Sequence, residues 1–144
     1  MIVLRNLLMS NQPFPGVSAP AAGAWVYSPI IRTEAALEVL YNVGVNGLDG
    51  APTTARLEMK FQSVLQTNGT IIDGSPQYFD LTDPAMLPDG NWPDPLANET
   101  LVAPVSVIRR IKGGIRHRLA WRMTFTGGTT PAFRLTIEQL QRYS

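Results

Sequence analysis

The sequence contains no cysteine, which removes disulfides, thiolate chemistry, cysteine-bound zinc and iron–sulfur clusters from consideration. It contains a single histidine, His117, so no pair of imidazoles can share a metal, and Arg116 and Arg118 beside it oppose its protonation. It lacks a surplus of charge. Twelve Lys and Arg stand against eleven Asp and Glu, a formal net of +1, whereas a dedicated phosphate binder usually shows a clear basic excess; no direct contact with nucleic acid is expected. It also lacks a long apolar run. The segment from Met1 to Met9 is apolar but short, Arg5 interrupts it and a proline-rich stretch follows, so neither a signal peptide nor a membrane span is read there.

Catalytic patterns are missing as well. Neither a G-x-S-x-G elbow nor a glycine-rich phosphate loop is present, since Gly113-Gly114 and Gly127-Gly128 match neither consensus. Asp89-Gly90-Asn91 with Asp94 has a turn's composition and lacks the spaced acids and terminal Glu of a calcium loop. The expectation is a non-enzymatic chain with no catalytic residues, no cofactor and no metal.

Alternating polarity is what the sequence has in abundance. Leu57, Met59, Phe61, Ser63 and Leu65 alternate with Arg56, Glu58, Lys60 and Gln62, the pattern of a strand with one buried and one solvated face. Leu119, Trp121, Met123 and Phe125 alternate with Arg118, Ala120, Arg122 and Thr124, and Phe133, Leu135 and Ile137 with Arg134, Thr136 and Glu138. Leu37, Val39, Tyr41, Val43 and Val45 read the same way and favour a strand over a helix.

Strands are therefore expected at Met1–Met9, Trp25–Ile31, Ala35–Val45, Thr54–Thr67, Gln77–Leu81, Leu101–Ile111, Ile115–Thr126 and Ala132–Leu140, with turns at Asn46-Gly47, Asn68-Gly69 and Gly113-Gly114. Asp83-Pro84 starts one helical turn, Asp83 as cap. About eight short strands without long helices imply an all-β fold, a jelly-roll-like antiparallel β-sandwich. Residues 1–24 read as an N-terminal strand and an extended Pro/Ala-rich arm, and residues 25–144 as the sandwich domain.

Charge is segregated along the chain. No Lys or Arg lies between Lys60 and Arg109, while Asp73, Asp80, Asp83, Asp89, Asp94 and Glu99 fall in that gap. Arg109, Arg110, Lys112, Arg116 and Arg118 follow at once. If Gly113-Gly114 is a two-residue hairpin turn, Arg109 lies opposite Arg118, a like-charge pairing that is unfavourable across a ladder. A basic hairpin tip docking on an acidic surface, such as the acidic loop of a sister subunit, would relieve it. Trp92 reads as a ring packed over one end of the sandwich or as a binding platform. In the arm, Phe14 and Val17 are the side chains expected to contact a neighbouring subunit by strand addition or groove filling.

The stretch from Arg116 to Ile137, an alternating strand, Thr126-Gly127-Gly128 and a second alternating strand, resembles the closing hairpin of small β-sandwich cement proteins on tailed-bacteriophage heads. The likeness covers about a sixth of the chain. It implies a non-enzymatic virion structural protein on the capsid surface, a dimer or trimer that binds the major capsid protein and reinforces contacts between coat subunits. A tail or head–tail connector component and a carbohydrate-binding module are the alternatives. No membrane partner is expected.

Overall fold

The computed structural model describes residues 2–15, 17–18, 25–33, 35–65, 76–89 and 105–143. Among them the chain forms ten strands: β1 (Ile2–Pro15), β2 (Val17–Ser18), β3 (Val26–Tyr27), β4 (Ile31–Arg32), β5 (Glu38–Asp49), β6 (Thr54–Leu65), β7 (Gln77–Asp80), β8 (Val105–Lys112), β9 (Arg116–Thr126) and β10 (Ala132–Tyr143). Sheet A has the order β1-β10-β5-β8; sheet B has the order β2-β9-β6-β7, with β3 and β4 also pairing along β9. Pairing is antiparallel except for the short parallel contact of β2 with β9. With β3 and β4 counted as one interrupted strand and the two-residue parallel β2 set aside, first pairs with last, second with second-last, and so on inward to β6 and β7. That nesting is the strand order of a jelly roll.

Period-two alternation sorts each long strand into an inner and an outer row. Val39, Tyr41, Val43 and Val45 of β5, Leu57, Met59 and Phe61 of β6, Leu119, Trp121, Met123 and Phe125 of β9, and Phe133, Leu135 and Ile137 of β10 fill one core between the sheets. The alternation stops where the strands do: Leu37, just before β5, is 55% exposed and Leu65, at the end of β6, is 51% exposed. Asp83 caps a single turn, its Oδ1 accepting from Ala85 N at 2.9 Å while its carbonyl accepts from Met86 N and Leu87 N. This turn places Leu87 in the core.

Four expectations change. Asn46-Gly47 is not a turn: β5 runs on to Asp49, and Asn46 is the extra residue of a bulge, between Val45 opposite Leu135 and Gly47 opposite Arg134. Gly113-Gly114 is not a hairpin turn either, because β8 pairs with β5 in sheet A and β9 with β6 in sheet B. The glycines carry the chain from one sheet to the other. The same holds for Gly127-Gly128, which links β9 of sheet B to β10 of sheet A, so the stretch read as a closing hairpin is a crossover. Finally, Ser10 to Pro15, read as the start of an arm, continue β1 along β10, with Pro13 opposite Arg134 and Pro15 opposite Ala132. Proline fits there because β1 is an edge strand, where a missing N–H leaves no ladder bond unmade. Asn68-Gly69 lies outside the described residues.

Candidate functional site

The sheet crossover separates the basic residues that the sequence places together. Arg109, Arg110 and Lys112 stand on β8, opposite Tyr41, Leu40 and Glu38, whereas Arg116 and Arg118 stand on β9, opposite Arg32 of β4 and Gln62 of β6 respectively. Arg109 and Arg118 therefore do not face each other. Arg109 Nη1 donates to the Ile108 carbonyl at 2.7 Å, and burial lowers the pKa of this guanidinium. Arg110 forks onto Asp89, with Nη2 at 2.6 Å and Nε at 3.1 Å from Oδ1, and lies 3.8 Å from Glu38. Part of the acidic stretch thus folds back onto its own chain's basic strand. Phe14 and Val17 have their backbones paired within the chain, to Phe133 and Thr124. Trp92 lies outside the described residues.

The Arg110 hydrogen bond to Asp89 and the Gln62 hydrogen bond to Asp80 hold both carboxyls below the usual aspartate range, near 3.8. A carboxyl with a depressed pKa adds stability that is complete above the unfolded value and is lost as pH falls through the folded one. Melting temperature should therefore drop on acidification below about pH 4. In an Asp80→Asn, Asp89→Asn double variant that drop should shrink, although only slightly because both sites are solvent-exposed. An unchanged acid limb in calorimetry would count against these two contacts.

The outer face of sheet B gathers what the sequence leaves scattered. Arg118 lies between two tyrosine rings, its Cζ 3.8 Å from the centroid of Tyr27 and 3.3 Å from that of Tyr78. Its Nε donates to Gln62 Oε1 at 2.8 Å, Gln62 Nε2 donates to Asp80 Oδ1 at 2.8 Å, and Lys60 Nζ lies 3.1 Å from the same oxygen. Trp25 carries Lys60 at 4.4 Å and Arg122 at 4.5 Å from its ring centroid. Glu58 holds Arg122 and, at 3.1 Å, Arg56. Glu58 and Gln62 are outward residues of β6, yet they are only 9% and 8% exposed because this network covers them. Each cation–π contact is worth roughly 0.5–1 kcal/mol at an exposed site. The network's larger effect is to fix long side chains that would otherwise lose entropy on binding.

Inside the sandwich, the inner rows of β9 and β10 turn polar at one end. His117 is wholly buried. Gln139 Nε2 donates to Tyr41 Oη at 2.9 Å, so the Tyr41 hydroxyl donates onward to His117 Nε2 at 2.5 Å. The ring proton then sits on Nδ1, 3.4 Å from the Ile115 carbonyl. Gln141 Nε2 donates to Gln139 Oε1 at 2.7 Å, and Tyr143 Oη donates to Gln141 Oε1 at 2.5 Å. Burial pushes the Tyr41 hydroxyl far above its ordinary pKa. This chain of hydrogen bonds ties sheet B to sheet A. With His117 wholly buried, the chain acts as a structural link between the sheets.

The parity of β9 carried the missed signal: 117, 119, 121, 123 and 125 share a row, so His117 belongs inside. Extending the inner row of β10 past Ile137 likewise reaches Gln139 and Gln141. Nothing local announces that Tyr27 and Tyr78 flank Arg118, since β3, β7 and β9 meet only through the sheet.

No family model matches the sequence, and no curated protein matches it. Among solved structures the chain is similar to the K1 cleaved adhesin domain of Lys-gingipain (Kgp) from Porphyromonas gingivalis W83, with 8% identity over the whole of both chains and a TM-score of 0.39. A likeness at that level is no guide to function.

Proposed function

We propose that this protein is a non-enzymatic structural module that binds protein surfaces, and that it does so on the outside of a tailed-phage capsid, where a homo-oligomer reinforces contacts of the major capsid protein. The observation that carries the binding role is the outer face of sheet B. Tyr27, Tyr78, Trp25, Arg118 and Arg122 are of the types enriched at protein interfaces and their hot spots. They sit on a rigid sheet and are held in place by Gln62, Asp80 and Glu58. Four cations, Arg56, Lys60, Arg118 and Arg122, share this face with two carboxylates, so an acidic coat surface complements it. The capsid setting draws on the jelly-roll order, which recurs in viral coat proteins and also in lectins.

The test is co-sedimentation with purified phage heads, together with quantification of this polypeptide against the coat protein in virions. The expected ratio is a simple fraction of the coat copy number. Arg118→Ala should weaken head binding by about 30-fold, the loss typical of a hot-spot residue, and the effect should grow weaker with salt. A few copies per particle would assign a tail or connector role; complete absence from particles would sink the virion reading.

A carbohydrate-binding role is favoured by one observation, the three aromatic rings of Trp25, Tyr27 and Tyr78 along one sheet face. Each of those rings already carries a cation, which makes a protein the better partner. Sugar-dependent quenching of tryptophan fluorescence would reverse that order.

A further inference from the structure

The backbone groups along an open sheet edge are a template for another strand, and the edges of this sandwich are not alike. In sheet B the outermost strands run for only two or four residues each. In sheet A one outermost strand, β8, is covered by its own chain. Arg110 N donates to Asp89 Oδ2 at 2.8 Å, and Lys112 N donates to the Met86 carbonyl at 2.9 Å. The other, β1, is 14 residues long and pairs with β10 alone. No hydrogen bond reaches its outer edge among the described residues. The devices that usually blunt such an edge come late in the strand. The register against β10 is unbroken from Ile2 to Leu7, and the two irregularities, Pro13 and Pro15 all follow it. Arg5 is the one charged residue of β1. Leu7 and Leu8 are 62% and 41% exposed, apolar area that gains nothing from staying in water.

We infer that two copies of this chain pair β1 to β1, antiparallel about a twofold axis normal to the sheet. The four strands of each sheet A then join into one continuous sheet. Closure favours a second copy over a foreign strand. A foreign strand would cover β1 and present an edge of its own, whereas twofold pairing satisfies both open edges at once. The joined sheet ends on a β8 at either side, each covered by its own chain, so growth stops at two. Charge selects the register. With this symmetry, residues opposite each other share a face, and Arg5 against Arg5 would oppose like charges. Centred instead on Asn6, the pair sets each Arg5 opposite the Leu7 of the other copy. Both are outward residues, paired to Leu140 and Glu138 of β10, so the aliphatic stem of Arg5 covers the exposed leucine while its charged head stays in water. The inference rests on the homo-oligomer part of the reading above, not on the capsid, and gives that oligomer its interface.

The test is sedimentation velocity of the 144-residue chain over a range of concentrations, with amide hydrogen exchange followed along β1. A reversible dimer is expected, and the amides of residues 2–8 should exchange faster once dilution leaves monomer. Leu7→Lys, a change at a site already in water, should weaken the dimer about tenfold, because symmetry creates the lysine–Arg5 clash twice. Adding Arg5→Glu to Leu7→Lys should restore the dimer by turning both clashes into ion pairs. Should Leu7→Lys fail to fold, the dilution series of the parent still decides. Monomer at every concentration, or a dimer indifferent to both variants, would overturn the pairing. So would β1 amides that stay protected in the dilute monomer, since the same chain would then cover the edge. A dimer that ignores phage heads would retain the pairing and remove only the capsid setting. A monomer that binds them would do the reverse.

Discussion

Replacing Trp121 with alanine should cost about 3–5 kcal/mol of folding stability, the range for deleting a fully buried large aromatic ring. Trp121 is 1% exposed and stands mid-strand in β9. On one side its backbone pairs with Met59 of β6, on the other with Val26 of β3, so both flanking strands keep its ring from being replaced by backbone collapse. The cavity left behind would merge with a cleft that the ring now walls. Urea denaturation is the measurement, with the slope expected to stay near that of the parent. A loss below about 1 kcal/mol would mean that the inner row of β9 has been assigned to the wrong face.

Gly113→Ala should be at least as damaging, for a reason that has nothing to do with turns. A methyl group there would lie 1.7 Å from the Ala36 carbonyl oxygen and 2.5 Å from its carbon. That backbone cannot step aside. Leu37 N donates to the Arg142 carbonyl at 2.8 Å, Ala36 N to the Thr33 carbonyl at 3.1 Å, and the Leu37 carbonyl itself receives Gly113 N at 3.0 Å. Moving Ala36 would therefore break contacts to β10 and to the crossover together, and a loss above about 3 kcal/mol or failure to yield soluble protein is expected. The neighbouring Gly114 has a φ of +100° and open space around its missing side chain. Gly114→Ala should cost only the strain of a left-handed alanine, about 1–2 kcal/mol. Thermal denaturation of the two variants side by side decides the matter. If Gly114→Ala were the worse of the two, the close approach of Gly113 to Ala36 would be refuted.

These glycines also show where local reading stops. Which face of a strand is buried follows from alternation, a property of a few consecutive residues, and so the core from Val39 to Val45, Leu57 to Phe61, Leu119 to Phe125 and Phe133 to Ile137 was legible in advance. So was the sandwich class, but not the strand count, since about eight were expected and the described residues form ten. Whether two successive strands pair with each other is not local. Gly113-Gly114 has the composition of a hairpin turn, but β5 offers β8 its free edge and β6 does the same for β9, and these competing partners win. Once the hairpin is lost, the basic tip dissolves: Arg110 turns to Asp89 and Arg118 to the tyrosines. Pro13 and Pro15 misled in a similar way, because their composition denies a ladder that an edge strand tolerates. The outward residues of β6 were legible as a polar row, but not as the floor of an aromatic–arginine network.

The pairing of first strand with last has a consequence for how the molecule comes into being. Ile2 lies opposite Tyr143 and Pro15 opposite Ala132, so β1 has no place in sheet A until β10 has been synthesised. During translation β1 must wait, unpaired in sheet A, until β10 emerges. Closing such a distant pair is entropically costly, and refolding on the order of milliseconds to seconds is expected for a topology of this kind. In the cell that delay is an interval in which a ribosome-associated chaperone has a segment to hold, and in which β1 of one nascent chain can meet the finished β10 of another.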